Sequence, residues 1–138
     1  MYSHKSVKLF VDIATQHELK YEIKKNINVE VLFKVNQQSN LKFDIQLCLL
    51  NNDELWFYID DLYFCMFPFK EVKNTFRSVI DSFISGRYRV LKLYQDGFDS
   101  PYQWSIQEYN NDKWKNILTT NRFFKNPFLP VRHEILQN

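Results

Sequence analysis

The chain has 138 residues, enough for one domain with a sizeable core. Hydrophobic residues make up 45% and aromatics 17%, which excludes a wholly disordered chain. Two glycines leave no place for a glycine-rich phosphate loop or a flexible linker, and 18 Lys+Arg against 16 Asp+Glu give only +2, short of the broad basic footprint of a dedicated nucleic-acid binder.

The N-terminal stretch fits two periods. Val7, Phe10, Val11 and Ala14 have helical spacing, while Val7, Leu9, Val11 and Ile13 have strand spacing. We expect a helix over about 6–20, capped by Ser3 or Ser6, with a strand as the alternative. Next, Ile27, Val29, Val31, Phe33 and Val35 alternate with polar or less buried positions, and so do Leu41, Phe43, Ile45, Leu47 and Leu49. Period two with one polar face marks half-buried antiparallel strands, and Gln37-Gln38-Ser39-Asn40 joins them as a hairpin. Asn51-Asn52-Asp53 is a second turn, residues 55–59 a third strand, and residues 62–67 its continuation or a fourth, interrupted by Asp60-Asp61.

Pro68 begins the main helix, over about 69–85. Phe69, Val72, Phe76, Val79, Ile80, Phe83 and Ile84 form one apolar stripe, and Gly86 supplies the left-handed stop. Strands follow at about 87–94, 102–109 and 113–118, separated by the loop Gln95-Asp96-Gly97-Phe98-Asp99-Ser100-Pro101 and the turn Asn110-Asn111-Asp112. Trp104 and Trp114 flank the last hairpin and are expected to pack down on it. Residues from about 120 onward, with Pro127 and Pro130, read as a loosely structured tail docked through Phe123, Phe124 and Phe128. The fold class is α+β: a mostly antiparallel sheet of six or seven strands on one main amphipathic helix, with a possible second N-terminal helix, in a single domain spanning 1–138.

The residues of catalysis are sparse. His4, His17 and His133 have no partner at zinc-binding spacing, and Cys48 and Cys65 are not within four residues of another cysteine. Both cysteines sit in apolar runs, which predicts two reduced thiols packed in the core and inert. No G-x-S-x-G is present. We therefore expect no catalytic residue, no metal and no cofactor. Asp60-Asp61 and Asp96/Asp99 lie at strand ends or in loops, where turn formation and solvation compete with a binding role. If residues 60–61 are extended, the two carboxylates point to opposite faces. In 87–94, Arg87 and Arg89 share a strand face with Leu91 and Leu93, whereas Tyr88 and Tyr94 fall on the other, which works against a base-stacking platform on that strand.

No apolar run approaches the ~18 residues of a bilayer span, and no apolar leader follows Met1, so the expected setting is the cytoplasm. Phe, Tyr, Ile, Asn and Lys dominate as in an AT-rich coding sequence. In these respects, and in the run FRSVIDSFISGRYRVLKLY (76–94) followed by QDGFDSPYQW (95–104), the chain resembles the small cytosolic immunity proteins that protect bacteria from polymorphic or contact-dependent growth-inhibition toxins. The resemblance covers about half the chain. It implies a non-catalytic protein that binds and occludes a toxin domain. Family members facing cationic nucleases are commonly acidic, and +2 departs from that pattern. The residues that would meet such a partner are Asp60, Asp61, Asp96, Phe98, Asp99 and Tyr102, acidic and aromatic groups carried by turns. A nucleic-acid-associated or phage-encoded accessory protein and a small enzyme are the alternatives.

Overall fold

Residues 2–25, 30–121 and 127–138 are described by the computed structural model. They form two compact units, Met1–Ile84 and Ser85–Asn138. The α+β class holds, but with two antiparallel sheets, nine strands and two helices among the described residues.

In the first unit, helix α1 (Ser3–Gln16) buries Phe10, Ile13 and Ala14 on one side, so the helical period prevails over the strand period. It ends earlier than the expected residue 20. Glu18 takes φ 55°, and Leu19, itself buried, donates its N–H back to the Ala14 carbonyl at 2.8 Å, closing a Schellman-type stop without glycine. Five strands follow: β1 (Glu22–Lys25), β2 (Val31–Val35), β3 (Ile45–Leu50), β4 (Glu54–Ile59) and β5 (Leu62–Met66). They pair in sequence order as an antiparallel meander. β1 is an addition to the expected strands, and β3 starts at Ile45 because Gln38 and Leu41 exchange backbone hydrogen bonds and hold that segment as a tight turn. The expected strand positions Ile27 and Val29 lie outside the described residues.

Helix α2 (Phe69–Ile84) matches its expected stripe: Phe69, Phe76, Ile80, Phe83 and Ile84 are buried. Its start is fixed from a distance. The Phe69 N–H, one of the donors a helix cannot satisfy internally, is shared between the Asp53 Oδ1 at 2.9 Å and the Asp53 carbonyl at 3.0 Å, both from the turn before β4. Pro68 precedes the helix, and its carbonyl accepts from Glu71 and Val72.

Both helices cover one face of this sheet, α1 over β2 and β3, α2 over β4 and β5. The register aligns Phe33, Leu47, Phe57 and Phe64 across four strands on that face. Phe57 meets Phe76 edge-on at 5.7 Å, and Phe76 meets Phe10 at 6.1 Å. His17 Nε2 lies 2.8 Å from Asp81 Oδ1, and Arg77 donates to Gln16 at 2.8 Å, joining the end of α1 to α2.

The second unit is a four-stranded antiparallel sheet in the order β8-β7-β6-β9, from β6 (Tyr88–Gln95), β7 (Gln103–Asn110), β8 (Lys113–Asn121) and β9 (Val131–Leu136). β9 corrects the expectation of a loose tail: residues 131–136 pair with β6 from Val90 to Gln95. Phe128 is 90% exposed, and Phe123 and Phe124 lie outside the described residues.

Truncating Phe76, fully buried against two other rings, should cost about 3–5 kcal/mol in urea unfolding. Asp53→Ala removes only a side-chain cap and should cost about 1 kcal/mol in the same measurement.

Candidate functional site

Period two on β4 decides what faces outward. With Leu55, Phe57 and Ile59 buried, Trp56 and Tyr58 must project from the side of the sheet away from the helices. The β4–β5 register sets Tyr58 opposite Tyr63 and Trp56 opposite Cys65. The three rings form one cluster: Trp56 to Tyr63 5.7 Å at 29°, Trp56 to Tyr58 6.4 Å at 20°, Tyr58 to Tyr63 6.1 Å at 42°. Trp56 Nε1 donates to Glu54 Oε2 at 2.9 Å, and Asn51 donates to the same oxygen, so the indole is held from its polar end. Tyr63 is 56% exposed, and Phe67, just beyond β5, is 67% exposed.

Asp60 and Asp61 form the two-residue turn that closes this same hairpin, between the paired Ile59 and Leu62. Asp60 has φ 57°, the left-handed value such a turn requires and Asp tolerates. The expectation drawn from an extended Asp60-Asp61 therefore does not apply: the pair is the exposed tip of the aromatic hairpin. Asp44, whose carbonyl accepts from the Asp60 N–H at 3.1 Å, brings a third exposed carboxylate to that end of the sheet.

The other expected residues belong to the second unit. Gln95 to Phe98 form a turn, the Phe98 N–H donating to the Gln95 carbonyl at 3.1 Å with Gly97 at φ 86°. Asp96 and Asp99 are exposed and Phe98 is 46% exposed. Tyr102 is a correction: at 6% exposure, with its N–H donating to the Leu93 carbonyl, it is buried and offers no exposed anchor.

Of the two cysteines, both free, one differs from expectation. Cys48 is buried, but Cys65 is exposed, and both project on the aromatic side because the register sets each opposite Trp56. One strand separates them, so their Cα atoms are about 9.5 Å apart, beyond the reach of a disulfide at about 7 Å. Burial pushes the Cys48 thiol up, assisted by the Glu30 charge and opposed by the Gln46 amide that donates to its sulfur at 3.5 Å. Burial, then the Glu54 charge, pushes Cys65 up as well. Protonated thiols are poor nucleophiles and poor metal ligands. Among the described residues no group of three or more His, Cys, Asp or Glu converges as a metal site. A shallow groove of about 400 Å³ runs beside the cluster, lined by Lys24, Glu30, Leu32, Gln46, Cys48 and Tyr58. It brings a thiol and a phenol, both raised by burial, beside an amide, one cation and one anion.

Sequence reasoning passed over Trp56, Tyr58 and Tyr63. The signal was the hairpin itself: reading Asp60-Asp61 as a two-residue turn pairs 58 with 63 and 56 with 65. No family model, no curated protein and no solved structure matches the chain.

Iodoacetamide should label Cys65 in the folded protein and Cys48 only after unfolding, with mass spectrometry finding no disulfide. Because the reactive species is the thiolate and the Cys65 value is raised, its labelling rate should keep rising to a higher pH than in the unfolded chain.

Proposed function

We propose that this chain is a non-catalytic protein-binding module that neutralises a bacterial toxin domain in the cytoplasm by direct binding and occlusion, and that the β4–β5 hairpin is its working surface. The observation that carries this reading is the placement of a stacked Trp56–Tyr58–Tyr63 cluster behind the acidic tip Asp60-Asp61 on one hairpin. Interfaces concentrate their energy in a few rigid aromatic anchors, and Trp and Tyr lead that set. Carboxylates at the rim complement a cationic cleft, speed association and disfavour anionic competitors. The rigid sheet behind the rings means little ordering is lost on binding. The net charge of +2 does not oppose such a partner, because complementarity is local to the contact.

The test is co-expression with a toxin domain encoded beside this chain, followed by titration of the purified pair. Wild-type protein should restore growth and bind. Trp56→Ala and Tyr63→Ala should each weaken binding by about 2 kcal/mol or more, roughly 30-fold. Asp60→Asn/Asp61→Asn keeps a left-handed turn and should slow association, the loss shrinking at high salt. Asp96→Ala/Asp99→Ala probes the other acidic loop. Unchanged affinity in Trp56→Ala and Tyr63→Ala moves the interface away from the hairpin.

A further inference from the structure

The second unit carries a surface that the toxin-binding reading does not use. On β6, Arg89, Leu91 and Leu93 share one face, and Arg87 extends it: the Tyr109 N–H donates to the Arg87 carbonyl at 3.0 Å, continuing the ladder by one position. The neighbouring strands supply the aromatic groups that β6 lacks on this side. Tyr109 of β7 stands opposite Arg87, and Trp114 of β8 stands opposite Tyr109, their rings 5.2 Å apart. The Arg89 guanidinium lies 4.0 Å over the Trp114 ring while its Nε donates to Gln107 at 2.7 Å, which fixes both groups. An open cleft of about 420 Å³ adjoins them, lined by Ser85, Gly86, Arg87, Tyr109, Trp114 and Gln137. That volume falls within the range of small-ligand sites.

The carboxylates are sorted across this sheet. Glu108 and Glu134, the carboxylates carried by the four strands, pair with Tyr88 and Lys92 and so stand on the opposite face. The face of Arg87 and Arg89 holds no Asp or Glu along its strands, and the nearby Asp112, in the hairpin turn, accepts the Tyr109 hydroxyl at 3.3 Å. Lys92, Lys113, Lys115 and Arg132 stand with the two glutamates on that opposite face, so Arg87 and Arg89 are the strand cations of this one, with no strand carboxylate beside them. On the same face Gln103–Asn121, Ser105–Thr119 and Gln107–Asn116 pair across β7 and β8 at 2.7 to 3.0 Å, with Ser105 and Gln107 buried, which stiffens the sheet beside the cleft. The face ends at the exposed His133.

We infer that this face of the β8-β7-β6-β9 sheet binds single-stranded nucleic acid, a base stacking in the Tyr109/Trp114 cleft with Arg87 on the adjoining phosphate. Aromatic rings beside guanidinium groups on an open antiparallel sheet accept any unstacked base, and a carboxylate-free face admits the backbone. A duplex hides its base faces and calls for a helix or ribbon that enters a groove, which a flat sheet face does not provide.

The probes are labelled oligothymidylate and oligouridylate of about twelve nucleotides, with a duplex of equal length as comparison, read by fluorescence anisotropy on the full chain. Both single strands should bind at low ionic strength, and affinity should fall steeply with salt. The duplex should bind at least tenfold more weakly. A difference between the two single strands assigns DNA or RNA as the ligand. Trp114→Ala should weaken binding about tenfold, and Arg87→Ala should reduce the slope of log affinity on log salt by about 0.7, one phosphate contact. Should Trp114→Ala fail to fold, Arg87→Glu, at an exposed position, keeps the test: it should weaken single-strand binding at least tenfold. Trp56→Ala, on the other unit, should leave it unchanged, which separates this inference from the toxin-binding reading. Absence of binding at low salt, equal duplex binding, or no effect of Arg87→Glu overturns it. Capture of a protein on this face with no oligonucleotide binding does the same.

Discussion

Phe57 sits where every layer of the first unit meets. Its ring stacks on Phe64 at 4.5 Å across the β4–β5 pair and reaches Phe76 at 5.7 Å and Phe83 at 6.1 Å on α2. Burying such a ring is worth about 1.5–3 kcal/mol, and a one-residue slip of β4 would forfeit it together with Leu55 and Ile59, since all three would turn to solvent. That constraint leaves Trp56 and Tyr58 no choice of side. The exposed aromatic cluster is the obligatory reverse of the phenylalanine core, and its precision derives from the core.

The same constraint propagates to the hairpin tip. With Ile59 and Leu62 paired and inward, only two residues remain to reverse the chain, and Asp60 takes the left-handed conformation that a two-residue loop demands. The acidic tip is therefore rigidly indexed to the rings behind it. At the other end of β4, the turn that precedes it supplies Asp53, which holds the first N–H of α2. The strand, the outer cluster and the start of the helix are locked to one register.

What the sequence conveyed follows from how far each determinant acts along the chain. The α2 stripe and the Gly86 stop are local, and both were legible. α1 was legible in period but not in length, because its end depends on Leu19 finding a buried place that draws Glu18 into φ 55°. β1 (EIKK) and β9 (VRHEIL) are edge strands, and edges are kept charged to discourage further pairing, so their apolar alternation is thin. Cys65 was read as core from its apolar run, yet on β5 the odd positions face out. Asp60 and Asp61 stood out as turn residues from the sequence, while their aromatic neighbours required the hairpin register to be seen as a group. Tyr102 has the composition of an anchor and the burial of a core residue, a distinction that no local pattern carries.

Bulk charge gives the weakest guide to either surface, and the reason is the strand period. Alternation sorts side chains by face, so a sheet of modest net charge can hold all its strand carboxylates on one side and two arginines with aromatics on the other. In the second unit Glu108 and Glu134 go one way, Arg87 and Arg89 the other, and the composition averages them. Judged on β6 alone, Arg87 and Arg89 lack rings, because Tyr88 and Tyr94 alternate away. The rings arrive from β7 and β8, through a register that shifts at Ile106/Gln107 and still aligns Trp114 with Tyr109. A recognition surface on an antiparallel sheet is written across strands, perpendicular to the sequence. Its elements become neighbours only once the turns at 95–98 and 110–112 have set the pairing.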